Sequence, residues 1–360
     1  MNYSIIFNTL PVKNGGGLQK TLSLLKANVD NINSDKIVLI CFSDSPFNIP
    51  EIKNKILLKH NNRLITELLL VFRILLKYKN PKFFTLSGPS PWPLYFSNIS
   101  HVTECAYSNL FYDIDFWIVK NKFELYKKKL IDFYRFYSCK FSTITIFQTS
   151  KMLEKAINKG FNEKHSFIVK PAYNNHLFSK YKFPEIKPKN NYKILFLCGS
   201  QRHKRIELIN YLILNSKFNY DLYTTMDSES KYFLDLQTSL QNKIQSIGKL
   251  PPHKIPSILG DYDIICNLSS LESFSNNFIE AWASKRILLC VKEEWSVFEA
   301  NEAALYLDLA DIKNSVLEID DFLSSEISIK KYLQLTNKKL KMYNNYTSKY
   351  HEYLKIIKNA

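Results

Sequence analysis

Two doubly wound α/β domains with a cleft between them are the fold this sequence predicts, and three observations carry that expectation. At 360 residues the chain is past the length at which a single hydrophobic core stops growing. Short apolar runs alternate with helical segments in both halves, the pattern of parallel sheets covered on both faces. Between the halves, Tyr181 to Asn191 (YKFPEIKPKNN) holds two prolines and no apolar periodicity, and it reads as a linker. Hydrophobic residues at 46% and charged residues at 23% match a soluble globular chain and exclude intrinsic disorder.

Taken in order, Tyr3 to Asn8 and Lys36 to Phe42 are branched, apolar and strand-like, and between them Gly15-Gly16-Gly17 leads into a helical spacing over Leu18 to Ala27. An amphipathic helix over Arg63 to Lys77 precedes a strand at Lys82 to Leu86, followed by Ser87-Gly88-Pro89-Ser90-Pro91-Trp92-Pro93. Further strands are expected at Ser142 to Phe147 and His165 to Lys170. Beyond the linker the pattern restarts, with strands at Lys193 to Cys198, Tyr220 to Thr224 and Tyr262 to Asn267 and a helix over Lys204 to Leu214. The last stretch, Lys330 to Lys358, reads as one or two helices whose tyrosines (Tyr332, Tyr343, Tyr346, Tyr350) need a partner surface, expected on the first domain.

Some function classes fall away early. The longest apolar stretch, Leu64 to Leu76, is broken by Glu67 and Arg73, short of the roughly 20 residues that span a bilayer. The N-terminus lacks the basic flank of a signal peptide. Cys41, Cys105, Cys139, Cys198, Cys266 and Cys290 show no Cys-x-x-Cys spacing and read as buried thiols in a reducing compartment, with no metal centre implied.

Charge is unevenly placed. The formal net charge is +16, and residues 1–200 hold 29 Lys+Arg against 13 Asp+Glu, so the whole excess lies there. Such asymmetry suggests a face presented to something anionic. Within that half, Ile118 to Tyr137 sets Phe123, Tyr126, Leu130, Phe133 or Tyr134, and Tyr137 on one helical stripe, with Lys127, Lys128 and Lys129 mostly off it. Either the stripe faces the core, or the helix docks on anionic lipid without crossing the bilayer.

Two loops after strands carry the chemistry. In the run Ser270 to Ser284, Glu272 falls in a loop and Glu280 in the helix that starts near Ser275 or Asn276, with the N–H groups of Ser275, Asn276, Asn277 and Phe278 at its positive end. That supplies acceptors for hydroxyls and donors for a diphosphate, although a capped helix with solvated glutamates is the competing reading. In the second loop, Gly199-Ser-Gln-Arg-His-Lys-Arg205 brings Arg202, Lys204 and Arg205 to a helix N-terminus, where three cations are unfavourable unless an anion joins them.

With these motifs in place, the chain resembles retaining glycosyltransferases of the GT-B architecture, of the family-four type with a Glu-x7-Glu motif, among them enzymes that build bacterial surface polysaccharides such as O-antigen and capsule. Gly15-Gly16-Gly17-Leu18-Gln19 resembles that family's glycine-rich loop, and Ser87 to Trp92 and Phe147 to Met152 are similar to segments of such enzymes. The resemblance implies two Rossmann-like domains facing across a cleft: residues 1–183 on the acceptor side, 184–335 binding the nucleotide sugar, and 336–360 as a helix returning to the first domain. It implies Lys204 and either Arg202 or Arg205 at the donor diphosphate. The arginine register stays open because the segment is one residue short and Arg205 stands where the family has glycine. Glu272 would face the transferred sugar, Glu280 the ribose hydroxyls, and Gly16, Gly17 and Gly199 the donor. His101 would touch the donor sugar from the first domain, and Trp92 and Glu104 would line the acceptor groove.

The expected activity is therefore transfer from a nucleoside diphosphate sugar to a glycan or lipid-linked acceptor, with retention, without a metal or cofactor, in the cytoplasm and peripherally on the inner face of the cell membrane. The second class kept open is a non-catalytic basic binding protein for nucleic acid or anionic polysaccharide, which lysines interleaved with 14% aromatics would suit. Nucleic-acid motifs are absent from the sequence and a pure binder has no use for Glu272 and Glu280, so nucleic acid is not an expected partner.

Overall fold

A computed structural model describes residues 5–12, 15–59, 63–112 and 121–360, and of residues 63 and 64 the backbone alone. Tyr3 and Ser4 of the first expected strand and residues 118–120 of the expected basic helix lie outside this description. The chain divides into two compact units, Met1–Ala172 with Asn344–Ala360, and Tyr173–Tyr343. The sequence reading drew these boundaries at 183/184 and 335/336.

Unit 1 holds a parallel seven-stranded sheet of β1 (Ile5–Asn8), β2 (Val38–Phe42), β3 (Lys55–Leu58), β4 (Lys82–Thr85), β5 (His101–Cys105), β6 (Ile144–Phe147) and β7 (Ser166–Ile168), in the order β3-β2-β1-β4-β5-β6-β7. Its helices are α1 (Gly15–Lys26), α2 (Val29–Ser34), α3 (Arg63–Lys77), α4 (Lys122–Lys140) and α5 (Ser150–Asn158). Strand side chains alternate between the two faces. Ile5 and Phe7 join Leu39, Phe84, Val102 and Ile146 in a core closed by α1, α2 and the C-terminal helix. Ile6, Val38, Ile40 and Phe83 point the other way, beneath Leu70, Val71 and Ile74 of α3. The register pairs Phe83 with His101 and Cys105 with Phe147, so Cys105 and Phe147 share the α3 face, where α4 and α5 cover them. This division follows from right-handed crossovers whose direction reverses between β1 and β4.

Unit 2 repeats the plan with β8 (Asn191–Phe196), β9 (Asn219–Thr224), β10 (Ile244–Ser246), β11 (Ile264–Asn267), β12 (Ile287–Val291) and β13 (Leu305–Leu307), in the order β10-β9-β8-β11-β12-β13. Its helices are α6 (Asn175–Ser179), α7 (Ile209–Asn215), α8 (Lys231–Ser239), α9 (Ile255–Ile258), α10 (Asn276–Ala283), α11 (Glu294–Ala300), α12 (Ile312–Ser324) and α13 (Glu326–Leu340); α14 (Tyr346–Lys358) then closes unit 1. The crossover direction reverses between β8 and β11. In such sheets that reversal opens a crevice at the carboxyl ends of the strands.

Three expectations are corrected here. The Tyr181–Asn191 segment packs onto unit 2 and is no free linker: Ile186 is in the core, and the buried Arg286 donates to the Pro184 carbonyl. The C-terminal tyrosines divide between the units. Tyr332 of α13 is buried in unit 2, accepting from Leu288 N–H at 2.8 Å, whereas Tyr350 of α14 is buried in unit 1. Finally, no helix begins at Lys204. A tight turn over Arg202–Lys204 ends at Arg205, whose φ of 46° breaks the spiral, and α7 follows only at Ile209.

Candidate functional site

The carboxyl edge of unit 2, where β8 and β11 diverge, collects most of the residues singled out from the sequence. The loop after β8 carries Gly199, Arg202, Lys204 and Arg205; the loop after β11 carries Glu272 and leads through Ser275 into α10. A backbone bond from Ser270 N–H to the His203 carbonyl, 2.9 Å long, ties the two loops together.

Lys204 and Glu272 form an ion pair, both side chains about one-fifth exposed, and the Ser269 hydroxyl donates to the same carboxylate at 3.0 Å. Burial opposes the Lys204 charge, but the adjacent carboxylate more than offsets it, so the ammonium pKa is raised. Burial and the neighbouring Lys204 push the His203 pKa down, which favours a neutral imidazole. The pair is thus a cation and an anion held at the mouth of a parallel-sheet crevice, each available to a ligand group of opposite sign.

Arg205 is committed elsewhere. Its side chain is buried, with Nε donating to the Leu268 carbonyl at 3.1 Å and Nη2 to Glu293 at 2.7 Å, so it ties the ends of β8, β11 and β12 together. Its positive φ is the conformation that glycine adopts freely. The backbone thus takes a left-handed turn at Arg205 while the guanidinium braces the loop. Arg202, half-exposed, rests on Asp235 of α8 at 3.2 Å.

At α10, Ser275 takes the cap position and accepts from Asn267 Nδ2 at 2.7 Å, while Asn277 Nδ2 reaches back to the Leu197 carbonyl at 3.2 Å. Asn276 opens the helix beside them. These bonds fix the amino end of α10 against the ends of β8 and β11. Phe278 is a core residue: its ring stacks on Trp295 and its N–H is taken by the Ser275 carbonyl at 3.2 Å. Glu280 is buried within α10.

In unit 1 the outcome is different. Gly15 starts α1 at φ +66°, with Gly16 and Gly17 in the first turn, and a Cβ on Gly17 would meet only ordinary contacts with Val12 and Ser87. His101 opens β5 and so lies at the amino edge of the sheet, buried against Tyr95 with Nδ1 on the Ile99 carbonyl. It does not share the carboxyl edge with Gly16 and Gly17, because the strand begins at this residue. Trp92 packs toward α3, its backbone N–H donating to Glu67 at 3.3 Å.

Glu104 is fully buried and offers nothing to an acceptor. Its carboxylate accepts from Lys20 Nζ at 2.7 Å, Tyr353 OH at 2.6 Å, and both N–H and hydroxyl of Ser87, with Lys349 Nζ 3.8 Å away. Burial alone would raise its pKa, yet the two lysines and the hydrogen bonds bring it down to about 2. The sequence reading missed Lys20, Lys349, Asp235, Ser269 and Glu293. Of these, Ser269 and Glu293 stand just beyond strand ends, the one signal that could have found them.

No protein-family profile matches the sequence, and neither does any curated protein. Solved structures do resemble it. A glycosyltransferase from Rickettsia africae superimposes with a TM-score of 0.72 at 18% identity, over 100% of this chain and 99% of its own. HepE of Anabaena, crystallised with UDP and glucose, gives 0.70 at 11% identity over 99% and 100%. Sucrose-phosphate synthase of Thermosynechococcus elongatus gives 0.71 at 14% identity over 99% of each chain. Two parallel α/β units joined in this order, and matched over their whole length by these structures, give the chain the GT-B fold.

Proposed function

We propose that this protein transfers a sugar from a nucleoside diphosphate sugar to a hydroxyl of a glycan, with retention and without a metal, the acceptor being a lipid-linked unit of a surface polysaccharide made on the cytoplasmic face of the membrane. The observation that carries the reading is the Lys204–Glu272 pair at the reversal point of the unit 2 sheet, beside the amino end of α10. The nucleotide-bound state of the HepE structure supports a nucleoside diphosphate as the ligand class.

In this reading the donor diphosphate takes Glu272's place at Lys204, and the released carboxylate accepts from hydroxyls of the sugar. As the bond to the anomeric carbon lengthens, negative charge grows on the diphosphate, where Lys204 and the positive end of α10 are already in position. Arg202, half-exposed on Asp235, is near enough in sequence to join the same anion. Glu280 is assigned to the ribose hydroxyls.

A thermal-shift panel of UDP, GDP, ADP and their sugars tests this. One nucleotide at 100 times its dissociation constant should stabilise the chain by about 2.7 kcal/mol. No shift with any of them would overturn the proposal.

A further inference from the structure

Unit 1 carries an apolar surface that its own folding does not use. Helix α3 buries Leu70, Val71 and Ile74 against the sheet, which is the one stripe a covering helix requires. On its other side Ile65, Leu68, Leu69, Phe72, Leu75 and Leu76 are 48–75% exposed. In α4 the first buried residue is Ser138, so the first three turns add nothing to the core. There the stripe expected from the sequence turns outward: Phe123, Tyr126, Leu130 and Phe133 are 61–78% exposed.

The two helices lie on the same sheet face, on either side of the turn Trp92–Phe96. Trp92 bonds Glu67 of α3, Tyr95 bonds Ser138 of α4, and Phe96 between them is 85% exposed. Single exposed apolar residues are commonplace, but two adjacent stripes with an aromatic between them mark an interaction surface.

Charge identifies what covers it. Lys122, Lys127 and Lys129 flank the α4 stripe, and Arg73 and Lys77 lie beside the α3 stripe. Of the acids nearby, Glu67 is buried, Asp132 is bound to Lys128 and Arg135, and the exposed Glu124 leaves the cations in excess. A second copy of the chain would bring two cationic faces together, which is unfavourable. An anionic bilayer meets both features at once, with an apolar layer for the stripes and headgroups for the lysines. No helix among the described residues is long and apolar enough to cross it.

We propose that α3 and the first three turns of α4 seat unit 1 on an anionic lipid bilayer, with Leu69, Phe72, Phe123 and Leu130 at the boundary between headgroups and acyl chains. The proposal stands apart from the nucleotide-sugar reading, since it concerns another surface and needs no turnover.

The test is flotation of the whole chain with vesicles of phosphatidylcholine alone or mixed with phosphatidylglycerol. Binding is expected only to the mixed vesicles and weakens at high salt. Replacing Lys122, Lys127 and Lys129 by Gln should cost about fivefold each, on the order of 100-fold together. Phe123→Ser with Leu130→Ser, and separately Leu69→Ser with Phe72→Ser, should each lower binding by about tenfold or more at an unchanged melting temperature, because these side chains are exposed. Equal flotation with both vesicle types, flotation with neither, or variants that bind like the wild type would overturn the proposal. So would a dimer in solution that the Leu69/Phe72 variant makes monomeric, since the face would then join two copies.

Discussion

Glu104→Ala should destabilise unit 1 by about 3–5 kcal/mol, lowering its melting temperature by on the order of 10 °C. The carboxylate is the common partner of groups on α1, α14 and the loop after β4, and its removal takes the paired charge from the buried Lys20 and leaves the buried Lys349 with Glu352 as its remaining acidic neighbour. Lys349 already shows the strain of this arrangement. It makes no hydrogen bond through Nζ among the described residues, and burial, with the Lys20 charge adding to it, pulls its pKa down to about 7.

The pH dependence follows from the two shifts. Glu104 ionises more readily folded than unfolded, so its contribution is complete above the ordinary glutamate range and is lost as pH falls toward about 2. Lys349 holds its proton less firmly folded than unfolded, so stability rises with pH from about 7 toward the ordinary lysine range. Thermal melts across pH should show both slopes in the wild type, and the acidic one should be reduced in Glu104→Ala. An Ala variant that melts within a degree or so of the wild type would show that the network contributes nothing.

Lys204→Ala should lower kcat/KM by about 10² to 10³, the loss found when one preorganised electrostatic donor is removed. The fold should survive, since Lys204 is a loop residue outside both cores. Glu272→Gln is expected to act mainly on kcat, because that carboxylate is assigned to the reacting sugar. Glu280→Gln should mainly raise the donor KM, the mark of a contact equal in ground and transition states. Steady-state kinetics with the nucleotide sugar selected by the thermal-shift panel separates these outcomes.

Much of the fold was legible because it rests on local patterns. Ile5–Phe7, Val38–Phe42 and residues 194–196 are runs of branched and aromatic residues whose burial the sequence announces, and the helix expected over roughly Arg63 to Lys77 is present. Five strands escaped notice. Three are at sheet edges, where the apolar signal is weak: in β3 only Ile56 is buried, and β10 and β13 are three residues each; the other two, β5 and β12, are fully buried five-residue interior strands.

The unit 2 site was legible for a different reason. Lys204 and Glu272 are 68 residues apart, yet each stands in a loop just after a strand, and topology brings such loops together. Glu104 was misread because nothing local marks it. Its partners Lys20 and Tyr353 lie 84 and 249 residues away, so only the packing of α1 and α14 on one face reveals a structural carboxylate. Arg205 was misread because a basic residue in a basic loop gives no sign that its backbone turns left-handed and its side chain inward.

The proposed chemistry depends most on one cation, Lys204, meeting a nucleoside diphosphate at the carboxyl edge of unit 2. Isothermal titration of that diphosphate into the wild type and into Lys204→Ala, at low salt and with matched melting temperatures, measures this contact without requiring the acceptor. One site per chain is expected in the wild type, with binding weaker by about tenfold or more in the variant, the loss that follows when a charge-assisted contact to phosphate is removed. Equal affinity in the two proteins would contradict that expectation.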